Sequence, residues 1–174
     1  MTDLPYSQIL AVADIPPQGL ELTLKPDADV CAAMARHLDI PAVSEVVAKL
    51  RLTQEKADGA RVTGRVSAKV TQISVVSLEP FESSFSEELD VRFATADIIA
   101  REVADAPEES DFDPPDLIEN GSIDLGLLVT EFLALGLDPY PRKDGEVFKA
   151  YQESDPAEAP VSPFAALARL KEKP

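Results

Sequence analysis

Apolar and polar positions alternate most strictly in the middle of the chain. Val46, Ala48, Leu50 and Leu52 alternate with Glu45, Val47, Lys49, Arg51 and Thr53. After Asp58-Gly59, the series Val62, Gly64, Val66, Ala68 and Val70 alternates with Arg61, Thr63, Arg65, Ser67, Lys69 and Thr71. A period of two is the pattern of a half-buried strand. Asp-Gly between two such runs predicts an antiparallel hairpin, the glycine taking positive φ at no steric cost. A third strand is predicted over Phe81 to Phe93, where Phe85, Leu89, Val91 and Phe93 share one parity and Pro80 marks the start. Glu87 falls on the same apolar parity, which suggests a bulge.

The flanks carry weaker patterns. Gln8 to Val12 and Leu20 to Leu24 read as short strands, punctuated by Pro16, Pro17 and Gly19. A helix is predicted to start at Pro26-Asp27, with Val30, Met34 and Leu38 on one face, and to close before Pro41. Residues 94–120 have few apolar anchors, and Pro107, Pro114 and Pro115 stand among the acids. This composition predicts a mobile acidic loop with at most a marginal helix around Asp97 to Val103. From Ser122, read as an N-cap, the apolar run through Leu137 predicts a long helix buried on more than one side. Residues 149–163 read as an extended acidic, Pro-rich tail, and Ser162-Pro163-Phe164 as the start of a short C-terminal helix. The resulting expectation is a single α+β domain. Its antiparallel sheet of four to six strands packs against one long apolar helix, with short N-terminal and C-terminal helices at its margins.

Composition narrows the function classes. The chain has 174 residues, 45% of them hydrophobic, enough for a core without disulfide staples. Its single cysteine, Cys31, permits no intrachain disulfide. The first residues resemble no secretory signal, and no apolar run approaches the roughly 18 residues of a membrane span, so a cytoplasmic protein without membrane contact is expected. With 32 acids against 16 Lys and Arg, the formal charge is −16, which argues against uniform coating of nucleic acid and against DNA as a partner.

The charge is polarised along the chain. Between Asp97 and Asp124 ten acids stand against Arg101 alone, whereas between Lys49 and Lys69 six cations face only Glu55 and Asp58. Strand parity puts Lys49, Arg51, Arg61, Arg65 and Lys69 on one face of the hairpin, where they are the candidates for phosphate contact with RNA. No aromatic side chain is interleaved there to stack bases. The same alternation also serves an ordinary solvated sheet face. Asp105, Glu108, Glu109, Asp111, Asp113 and Asp116 are the candidates for docking a basic protein.

Catalytic chemistry is not visible. His37 is the only histidine, and its spacing from Cys31 puts the two about 120° apart on a helix. Neither a nucleophile–base system nor a nitrogen and sulfur metal site is expected from them. The acids at Asp111, Asp113 and Asp116 fail the calcium-loop pattern because Pro115 occupies the next ligand position. No phosphate-loop or dinucleotide fingerprint occurs, and no cofactor is expected. Glu131, a carboxylate alone in the most apolar helix, is either a functional group or the residue of one wet stripe.

Three ordered blocks carry a resemblance. They are Val70-Thr71-Gln72-Ile73-Ser74-Val75-Val76-Ser77-Leu78-Glu79-Pro80-Phe81, then Ile123 to Leu135 followed by Pro139-Tyr140-Pro141-Arg142, then Ser162 to Lys171. Together they resemble the YceD-like large ribosomal RNA subunit accumulation family in its alphaproteobacterial form. The resemblance implies a non-enzymatic factor that supports synthesis, processing or stability of 23S ribosomal RNA. Its partner would be a ribosomal RNA precursor or, alternatively, a basic ribosomal protein docked through the acidic segment. Many members of that family carry a cysteine pair whose counterparts here are Thr71 and Ser74. Hydroxyls do not replace thiolates as zinc ligands, so no metal role is carried over.

Overall fold

The computed structural model describes residues 4–56, 58–107 and 112–147. Residues 1–144 form one compact unit and residues 145–174 a second. The expected tail at 149–163 and the C-terminal helix from Ser162 lie outside the described residues.

The first unit is α+β. Its order is β1 (Ile9–Ala11), a 3-10 turn (Val12–Asp14), β2 (Leu20–Leu24), α1 (Ala28–His37), β3 (Ala42–Gln54), β4 (Ala60–Ile73), β5 (Pro80–Ala94), α2 (Ala96–Asp105), β6 (Asp116–Leu117), β7 (Ser122–Asp124) and α3 (Leu125–Leu135). Five strands form one sheet in the order β2-β3-β4-β5-β6, and β1 pairs with β7 in a separate two-stranded sheet. The alternating runs are the long strands: Leu52 faces Val62, and Val62 faces Val91, each pair antiparallel. Val46, Ala48, Leu50, Leu52, Val62 and Val66 are almost wholly buried on one face. That face is the core, because a two-residue period puts most apolar side chains of these strands on the same side.

Three expectations of the sequence are overturned. The sheet is mixed rather than antiparallel, because α2 carries the chain across after β5 and β6 returns parallel to it, Phe93 opposite Asp116 and Ala94 opposite Leu117. No single long apolar helix covers the sheet. α1 packs on β3 through Cys31, Met34 and Ala35, while the 11-residue α3 packs on β4, β5 and β1. Ser122 is not an N-cap. Asn120 and Gly121 both take positive φ, 52° and 72°, and Glu119 bridges to Ser122, so this stretch is a tight hairpin turn that ends in β7. The cap is Asp124, which accepts from the backbone N–H groups of Gly126 and Leu127 at 2.9 and 3.2 Å.

Two local expectations also shift. In the β3–β4 turn it is Asp58, not Gly59, that takes positive φ, at 59°. Aspartate tolerates that conformation through its short polar side chain. The bulge lies in β3 rather than β5: Ser44 faces Lys69 and Val47 faces Ser67, so Glu45 and Val46 share Ala68, with Glu45 at φ 50°. Glu87 keeps regular register opposite Val66 and is exposed where α3 ends.

Candidate functional site

The outer face of the sheet holds all five cations expected there. Lys49 stands opposite Arg65, Thr53 opposite Arg61 and Ser44 opposite Lys69. Their surroundings differ from a free basic patch. Arg61 binds Asp90 of β5 through two hydrogen bonds of 2.6 Å each. Arg65 pairs with Glu88 of β5. Arg51 meets Glu21 of β2 at 2.8 Å, and Lys69 meets Glu45 of the bulge at 2.7 Å. Four of the five cations therefore lie in a cross-strand charge ladder, and Lys49 is the one without an ion pair among the described residues. The hydrogen bonds from Arg61 hold the Asp90 carboxyl below its ordinary range, and the Glu45 contact raises Lys69. These pairs form because like charges in adjacent strands are unfavourable and the flanking strands place carboxylates on the same parity. A count confined to residues 49–69 leaves those strands out, and Phe81 to Phe93 already offered Glu88 and Asp90 at outward positions.

Of the acidic candidates, Glu108, Glu109 and Asp111 lie outside the described residues. Asp105 ends α2, and Asp113 is exposed in the segment before β6. Asp116 opens β6 and lines a cleft of about 520 Å³. Chemistry from distant parts of the chain meets there. β1 contributes Ile9, β6 contributes Asp116 and Leu117, β7 contributes Asp124, and α3 contributes Leu127, Leu128 and Glu131. Glu119 joins them from the turn, and Phe93 from the end of β5.

The cleft is held open by identifiable contacts. Asp124 accepts from the Ser7 hydroxyl at 2.6 Å and from the Gln8 backbone N–H at 2.8 Å, besides capping α3. Burial works against this carboxylate, yet the Ser7, Gln8, Leu127 and Gly126 donors outweigh it and lower its pKa. Gly126 is required where α3 meets the N-terminal segment, since a Cβ there would lie 2.7 Å from the Gln8 nitrogen and 2.8 Å from Ser7. Asp116 and Glu131 are different. Among the described residues neither has an ion-pair partner, and no Lys, Arg or His lines the cleft. Their side chains reach solvent, but the groove walls strip part of their hydration. Burial, followed by the Asp113 charge, pushes Asp116 up; burial, followed by the Asp116 charge, pushes Glu131 up. Sequence reasoning singled out both carboxylates and missed that they share one cleft. The Asn120-Gly121 hairpin signal, which turns the chain back so that β6 and β7 both line the cleft, was the means of finding it.

His37 is exposed and Cys31 buried, with burial, first among its influences, raising the thiol. Among the described residues no group of three His, Cys, Asp or Glu is arranged to hold a metal ion. Ser74 is buried and accepts from the N–H groups of Val76 and Ser77, closing the β4–β5 turn.

Comparison with known proteins gives a family. The family model described as "Large ribosomal RNA subunit accumulation protein YceD" matches residues 62–171. Phosphoenolpyruvate-protein phosphotransferases of Staphylococcus aureus, from strains MRSA252 and COL, are 32% identical over 134 residues, covering 70% of this chain and 23% of theirs. The chain thus spans less than a quarter of the length of these curated relatives. No solved structure matches it significantly.

Proposed function

Because this chain belongs to the YceD family of large ribosomal RNA subunit accumulation proteins, we propose that it is a non-enzymatic ribosome-biogenesis factor acting on 23S ribosomal RNA through a basic protein partner. We read it as the family's alphaproteobacterial form, on the three blocks quoted above, and as working in the cytoplasm. No described helix is long and apolar enough to cross a membrane. The factor supports synthesis, processing or stability of the RNA by holding a basic ribosomal protein until it is delivered. Such a protein must neutralise phosphates to bind RNA, and its uncovered cations attract every polyanion in the cell. An acidic holder removes that competition.

The contrast between the two charged surfaces carries this reading. On the sheet face, carboxylates of the same chain already occupy four of the five cations. In the cleft, Asp116 and Glu131 have no cation partner among the described residues. The phosphotransferase relatives add nothing to the reading, given the small part of them that this chain spans.

A second reading keeps RNA as the direct partner. Exposed ion pairs are weak, and the Arg51, Arg61 and Arg65 side chains remain 54%, 46% and 59% exposed, so phosphates can compete for them. Replacement in cells separates the two. Arg61→Gln with Arg65→Gln should leave the level of 23S ribosomal RNA unchanged, while Asp116→Lys with Glu131→Lys should lower it severalfold. The reverse pattern would make the sheet face the working surface.

A further inference from the structure

The cleft is more specific than an acidic surface. Ile9 is 67% exposed and Leu117 50%, so its walls present apolar side chains to water. The backbone around them also has open edges: among the described residues β6 ends the five-stranded sheet, paired with β5 alone, and β1 pairs with β7 alone. Apolar walls, unpaired carboxylates and an edge strand meet in about 520 Å³, room for a few side chains but not for a folded element.

Charge selects among possible occupants. An RNA segment would bring phosphates against Asp116, Glu119 and Glu131. A second copy of this chain would bring a formal charge of −16. A cationic side chain, by contrast, relieves two carboxylates that stand in one cleft and that burial, with the charge of Asp113 on Asp116 and of Asp116 on Glu131, already holds toward their neutral forms.

We propose that the cleft docks a short extended segment of a basic protein. An apolar residue of that segment seats against Ile9, Leu117 and Leu127, and a flanking Lys or Arg reaches Asp116 and Glu131. This inference rests on the protein-docking reading and assigns it a place and a recognition rule. Apolar contact supplies the anchor, and the two carboxylates reject segments that carry acids or no charge. Strand-like pairing at the β6 edge favours an extended segment over a helix.

The test titrates the full chain into a fluorescein-labelled synthetic dodecapeptide of repeating Lys-Leu-Lys-Gly, read by fluorescence anisotropy. Asp116→Asn with Glu131→Gln should weaken binding about tenfold, the loss expected for a central contact pair. Ile9→Ser, at an exposed position, should weaken it comparably. Replacing each Leu of the peptide by Ser, with every Lys kept, should weaken it as much again. Methyl resonances of Ile9, Leu117 and Leu127 should shift on addition of the parent peptide. Equal binding of the Ser peptide would reduce the effect to diffuse charge attraction and overturn the inference. Shifts confined to α2 and Asp113 would overturn it too, while leaving docking of a basic protein intact at another acidic surface. If the peptide binds as described but the protein in cells attaches only to nucleotides, the cleft stands and the broader reading falls.

Discussion

Asp124 shows how much one carboxylate can organise. It joins the N-terminal segment to α3 through four donors, two of them backbone N–H groups at the helix start. Losing such a cap costs about 1–2 kcal/mol, and Asp124→Ala should lie at the upper end because Ser7 and Gln8 are released too. Its pKa is lowered on folding, so its stabilisation is full above the ordinary aspartate range and is lost as pH falls through its depressed value. Glu131 has the opposite sign. Its pKa is raised, so the folded state weakens as pH climbs from the ordinary glutamate value through the raised one. Glu131→Gln should therefore be more stable than the parent in urea unfolding at neutral pH, and the difference should vanish in acid. A stabilising change at a candidate binding residue is the trade expected where a site is kept for function rather than for folding. Equal or lower stability of the Gln variant at neutral pH would mean that Glu131 is compensated in the free protein. Neither effect was legible beforehand. Sequence showed Glu131 as a lone carboxylate in an apolar helix, but its neighbour Asp116 comes from a strand 15 positions earlier.

At the scale of elements, legibility followed the strength of the local pattern. The β3–β4 hairpin and β5 were visible because three alternating runs allow one register with nearly all their apolar residues inside. α1 was visible because Asp27 caps it, accepting from the Val30 N–H at 2.9 Å. The boundary between β7 and α3 was not, because the apolar run from Ile123 is continuous and hides a strand that pairs with Ile9–Ala11, far back in the chain. Only the Asn-Gly dipeptide marks the change. α2 has no buried residue and is tied down instead by Glu102, which accepts from Nη1 and Nη2 of Arg92 at 3.2 and 3.0 Å. A composition-based reading cannot see such a tether. Gly64 supplies the clearest element-level prediction. A Cβ there would overlap the Lys49 carbonyl oxygen and crowd the Leu50 Cα, so β3 and β4 must separate to admit it. Gly64→Ala should destabilise the protein by about 1–3 kcal/mol, measured by thermal or urea unfolding. An unchanged midpoint would show that the strands are less tightly apposed than the structure gives.

For the whole molecule, net charge and local charge point the same way once strand neighbours are known. The sequence reading placed a basic patch on an acidic body; folding spreads Glu21, Glu45, Glu88 and Asp90 over that patch and leaves the acidic cleft uncompensated. Charge segregation along the chain therefore did not survive as segregation in space, because cross-strand neighbours are distant in sequence. On the proposed reading this arrangement receives a cationic protein segment rather than a polyphosphate backbone. Photo-crosslinking the intact protein in growing cells, followed by identification of what is attached near Leu117, tests this most directly. Peptides of a basic ribosomal protein are expected at that position, lost in Asp116→Lys with Glu131→Lys. Nucleotides of a 23S ribosomal RNA precursor, attached there without peptide, would contradict it.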